Sequence, residues 1–140
     1  MIASLIFVGF QIRQDHKIAQ SVAYQQRTTT AAEFYWTVGS DPIARSAVEK
    51  TLTGATDLTA EEIIAARWFW RSGKELLQNS YYQYQTGFLD DEHWSQARNI
   101  IKVGMAQPVS RSILLDGNTR PSFQALLDEI EAELESKSER

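Results

Sequence analysis

The sequence predicts an all-α fold, a small bundle of about five helices in one domain. Two observations predict it. Apolar residues recur at alternating steps of three and four along much of the chain, and no segment sustains the two-residue alternation of a half-buried strand. Helix-start residues stand directly before those segments: Asp41-Pro42, Thr59 with Glu62, Asp90-Asp91 and Pro121.

The first element begins in an uncharged run, Met1 to Phe10, and continues without proline to a stop at Gly39-Ser40. Along it Ile18, Val22, Ala32 and Trp36 fall near helical spacing, with Thr29 filling the gap. That stripe is thin, so the helix is expected to need a partner. Asp41 as N-cap and Pro42 at the first helical position open a short second helix that ends near Gly54. Thr59 and Glu62 have the spacing of a capping box and start a long third helix, running to about Thr86. Ile63, Ala66, Trp70, Gly73, Leu77, Tyr81, Tyr84 and Phe88 make its continuous face, with Gly73 as a point of close helix approach, and Arg67, Arg71 and Lys74 read as a solvated face. Gly87 ends it, and Asp90 or Asp91 caps a fourth helix bearing Trp94, Ala97, Ile101 and Met105, which stops before Pro108. Residues 109–115 read as a short helix or an extended piece before the turn at Asp116-Gly117-Asn118. The last helix starts at Pro121, buries Phe123, Leu126, Leu127, Ile130 and Leu134, and turns a solvated acidic face outward.

Composition narrows the function. With no Cys among 140 residues, a disulfide framework and any thiolate metal or redox site are excluded. A formal net charge of -4 gives no overall attraction to phosphate, so nucleic acid is not an expected partner. No Gly-rich phosphate loop, nucleophile elbow or H-E-x-x-H motif occurs, and the expectation is a protein that is not an enzyme and takes no cofactor. Asp90, Asp91, Glu92 and His93 are four metal-ligand types in a row. Consecutive residues diverge around a helix, and acids favour helix starts for dipole reasons alone, so no metal site is assigned.

The N-terminal run, residues 1–12, is set apart from the domain of residues 13–140. It is too short for a bilayer, which takes about 20 apolar residues as a helix. Three readings stand: the second half of a membrane helix that starts upstream, a short interfacial anchor, or a buried core segment. Arg13, Lys17 and Arg27 follow it as a basic flank, which with a membrane-seated run places the body in the cytoplasm.

Two short patterns carry a resemblance. Gln11-Ile12-Arg13-Gln14-Asp15 directly follows the apolar run, and Tyr82-Gln83-Tyr84-Gln85-Thr86-Gly87-Phe88-Leu89-Asp90-Asp91-Glu92-His93-Trp94 closes one helix and opens the next. With the Asp41-Pro42 start, they resemble a family of uncharacterised bacterial proteins that have one N-terminal transmembrane helix and a small helical domain. The resemblance implies an anchor, longer in that family than here, and an all-α fold. It implies no activity.

The aromatics are the remaining candidate. Trp68, Trp70, Tyr81 and Tyr84 on the third helix offer a ligand or partner surface, or else fill the core of a small bundle. The expected role is thus a membrane-associated interaction module with a protein partner or a second copy. The alternative is a small-molecule binding or sensing domain with an aromatic-lined pocket.

Overall fold

A computed structural model of the chain describes residues 2–138, with side-chain surroundings for 4–137. It is all-helical, and among the described residues there is no strand. Six helices follow one another: α1 Ile2–Ser40, α2 Pro42–Thr53, α3 Ala60–Gln85, α4 Asp91–Met105, α5 Pro108–Leu114 and α6 Pro121–Ser138. The count exceeds the expected five because residues 108–114 close into a helix. Pro108 presets its first turn, and the buried Ser110 hydroxyl donates to the Gly104 carbonyl at 2.6 Å, which ties α5 to the end of α4.

Local sequence sets the boundaries. Asp41 accepts the Ile43 and Ala44 N–H groups and caps α2, and Gly54, at φ 76°, ends it. Thr59 and Glu62 form the reciprocal capping box of α3, and Asp90 caps α4. The core lies between α3, α4, α5 and α6, where Trp70, Leu77, Trp94, Ile101, Met105, Leu114, Phe123, Leu127 and Ile130 pack together. Helix α2 closes one side. Its buried Thr51 hydroxyl accepts the Trp70 indole N–H at 3.0 Å, so the ring is fixed from both its apolar and its polar side.

Three expectations are corrected. Gly73 is not the close-approach point, since a Cβ there meets nothing within 4 Å. Gly104 is: a Cβ on it falls 2.7 Å from Trp70 Cζ3 and 3.0 Å from Leu114 Cδ1. Lys74 does not lie on a solvated face. It is 2% exposed and its ammonium meets Asp116 Oδ1 at 2.5 Å, while Arg71 Nε reaches the other oxygen at 3.3 Å. The acids of α6 are engaged across the bundle rather than simply solvated. Arg98 pairs with Glu129 and Glu133, Lys102 with Glu133, and Arg111 with Glu131 and Glu135.

Helix α1 stands apart from the core. Its partly buried residues are Gln20, Ala23, Arg27, Ala31, Phe34 and Val38, a row at steps of three and four. Contacts pair Phe34 with Phe69, Arg27 with Gln83 and Gln20 with Gly87, so α1 runs antiparallel to α3. The apolar stripe read from the sequence lies two residues out of step with this row, about half a turn round the helix. Ile18, Val22 and Trp36 are accordingly exposed, Trp36 by 80%.

Candidate functional site

The turn between α3 and α4 forms the seat of α1. Thr86 ends α3 and Gly87 takes φ 78°. The N–H groups of Phe88 and Leu89 then both donate back to the Gln83 carbonyl, at 2.8 and 3.2 Å. Leu89 is thereby drawn into the core, and the Gly87 carbonyl is left outward, where it accepts the Gln20 side-chain amide at 2.9 Å. Phe88 lies against His16, with ring centres 5.1 Å apart. Tyr24 meets the His93 ring edge-on at 4.9 Å. Arg27 donates to the Gln83 side-chain carbonyl, and its partial burial lowers the guanidinium pKa. The segment Tyr82–Trp94 singled out in the sequence is therefore the bracket that holds α1 between His16 and Arg27.

The same segment is stiff. Asp90 accepts the His93 N–H at 2.9 Å and lies 2.6 Å from its Nδ1, contacts that hold the Asp90 carboxyl below its ordinary range. Tyr84 stacks on Trp94 at 5.2 Å and donates its hydroxyl to Asp91 at 3.1 Å; that bond raises the phenol pKa. These acids serve the helix start and the tyrosine. Among the described residues no three metal-ligand side chains converge.

Between α1 and this bracket runs an open groove of about 630 Å³, walled by Ile18, Ala19, Val22 and Ala23 of α1 and by Tyr82, Thr86 and Phe88 opposite. Asp15 is the charged residue on its rim.

The four candidate aromatics do not share a surface. Trp70 is 3% exposed in the core, and Tyr81 and Tyr84 pack on Trp94. Trp68 stands 67% exposed on the far side of α3, over a shallow recess of about 240 Å³ formed with Arg71, Lys74 and Asp116. The groove residues Tyr82 and Phe88 took no part in the sequence-read pocket. Their signal was membership of the 82–94 segment, which by itself gives no geometry.

The basic flank also divides. Arg27 is turned into the bundle, whereas Arg13 and Lys17 are exposed. Upstream of them Leu5, Ile6, Phe7, Val8, Phe10 and Ile12 are all exposed, on every side of the helix. Met1 and the side chains of Ile2 and Ala3, counted in the same apolar segment, lie outside the described residues. No described helix is long and apolar enough to cross a membrane.

Comparison with known proteins finds no matching family model, no similar curated protein and no similar solved structure. The likeness to the anchored helical family stands on the two motifs alone.

Proposed function

We propose that this protein is a non-enzymatic, membrane-associated helical interaction module. The N-terminal turns of α1 enter the lipid interface, and the bundle is carried on the cytoplasmic side. One observation carries the reading. Six large apolar side chains between Leu5 and Ile12 surround the helix and are exposed all round, clear of the bundle. A helix that is apolar on every side is stable only when something covers it. Transferring six such side chains out of water gains on the order of 10 kcal/mol before the cost of association. Exposed Arg13 and Lys17 follow at once, and near an anionic leaflet each adds about 1 kcal/mol.

The polar clusters support a binding role rather than a chemical one. Ser46 donates to Glu62 at 2.6 Å and Lys50 to Glu62 at 2.9 Å, but that carboxylate is also the partner that closes the α3 capping box. A nucleophile needs a base free to take its proton, and Glu62 is committed to three donors.

The test is flotation of the whole chain with phosphatidylcholine vesicles containing phosphatidylglycerol. The natural chain is expected to float, and Phe7→Asp/Phe10→Asp to stay in solution with its helical circular dichroism unchanged. Equal flotation of the two overturns the reading. The groove between α1 and the α3–α4 turn favours a second reading, a site for a small apolar ligand. Saturable binding of a hydrophobic dye that Val22→Trp abolishes would support it, and binding unaltered by that substitution would reject it.

A further inference from the structure

The outer face of α1 has a composition unlike that of a solvated helix. From Ile18 to Ala32 the only charged residue is Arg27, and Arg27 is turned inward onto Gln83. A soluble surface usually carries about a quarter to a third charged residues. The exposed face instead reads Ile18, Val22, Gln25, Thr29, Ala32, Trp36, at steps of 4, 3, 4, 3 and 4. That is the 3.5-residue seam of a two-helix coil, centred on the side of α1 away from the row that meets the bundle, with Ile18 and Val22 at the edge of the groove.

We propose that this face pairs with the same face of a second copy of the chain, in parallel and in register, when both are held on one membrane. The inference rests on the membrane reading, since two tips in one leaflet set two α1 helices side by side and pointing the same way. A second copy suits the face because in-register pairing stacks identical residues, and between Ile18 and Trp36 none of the stacked residues is charged. The first charged position along the same line, Asp15, sits one step beyond Ile18 and limits the seam on that side. Gln25 in the middle can bond to its own equivalent and fixes the register, as one polar layer does in coiled coils. The seam is about 27 Å long. It covers roughly 1,000 Å², below the range of complexes that are stable free in solution. Pairing is therefore expected on the membrane, where a shared surface raises the effective concentration, and not in dilute solution.

The absence of cysteine makes the test direct. Val22→Cys, Thr29→Cys and Thr30→Cys are made separately in the full chain and oxidised on the phosphatidylglycerol-containing vesicles. Parallel pairing in register predicts disulfide dimers of both the Val22→Cys and the Thr29→Cys variants. These form about ten-fold or more faster than dimers of Thr30→Cys, whose side chain points about 100° off the face. An antiparallel pair brings at most one of the two positions to its axis, so linkage by only one overturns the proposal. Equal rates for all three variants mean random collision and overturn it as well. Variants that float but do not link reject the pairing and leave the membrane reading standing. If the chain does not float, the membrane reading fails. The pairing on a shared membrane then falls with it, whatever links in solution.

Discussion

At the scale of single residues, two glycines inside helices have opposite roles. Gly104 is buried where α4 crosses Trp70 and Leu114, and an added methyl would lie 2.7 Å from a ring carbon. Trp70 cannot easily yield, because its indole N–H is bonded to Thr51. Overpacking of this kind costs about 1–3 kcal/mol, against about 1 kcal/mol gained in helix propensity. Gly104→Ala is expected to lower the urea midpoint. At Gly73 the methyl meets nothing, so Gly73→Ala is expected to raise it by the propensity gain of about 1 kcal/mol. Midpoints that move in the same direction for both would refute the packing assigned to Gly104. A second residue-scale prediction concerns Glu62. Hydrogen bonds from Ser46, Lys50 and the Thr59 N–H lower its carboxyl pKa from 4.5 to about 2. A depressed folded-state pKa contributes stability that is present above about 4.5 and is lost as pH falls towards 2. The melting temperature of Glu62→Gln should therefore lie below that of the natural chain at pH 7, and the gap should close near pH 2. A gap independent of pH would mean that the charge of Glu62 is not what stabilises the α2–α3 corner.

At the scale of elements, α1 differs from the rest in how it is held. Among the described residues none of its side chains belongs to the buried core, and it is fastened by half-buried contacts at Gln20, Tyr24, Arg27 and Phe34. Local openings follow such differences in burial. In amide hydrogen exchange on the monomer, α3, α4 and α6 should be slowest, residues 16–38 of α1 intermediate and residues 4–15 fastest. Protection of residues 4–15 equal to that of α3 would contradict the arrangement. The sequence made the helix ends legible because caps act locally: Asp41-Pro42, Thr59 with Glu62, Asp90 and Pro121 all sit at or beside real boundaries. It did not make the docked face of α1 legible. The stripe of Ile18, Val22 and Trp36 follows the largest apolar side chains, yet α1 lies on a turn that offers a carbonyl and an amide, which Gln20 and Arg27 meet. The site was legible only in part for the same reason. The 82–94 segment stood out, but that it grips α1 depends on the left-handed Gly87 turn and on the carbonyl this turn leaves outward. Lys74 was misplaced because its partner, Asp116, is 42 positions away and no periodicity reports it.

For the molecule as a whole, the fold divides into a body and an arm. The body is α2–α6, with a core shared by four helices and ion pairs that strap α6 to α4 and α5. The arm is α1, about 58 Å long at the helical rise, of which the inner part lies along α3 and the apolar side chains from Leu5 to Ile12 are exposed. If the outer turns contribute nothing to folding, their removal should separate the stability of the body from the proposed lipid contact. Deletion of residues 1–12 is expected to leave the melting temperature within about 4 °C of the full chain, since less than about 1 kcal/mol of native contact is lost. Flotation with anionic vesicles should disappear in the same variant, because Arg13 and Lys17 alone supply only about 2 kcal/mol. The two readouts answer different questions. A melting temperature that falls by 10 °C or more, or an unfolded product, would mean that the apolar turns cover part of the body in solution. Unchanged flotation with unchanged melting would put the lipid contact elsewhere, and the exposed Trp36 and Trp68 would be the next positions to substitute.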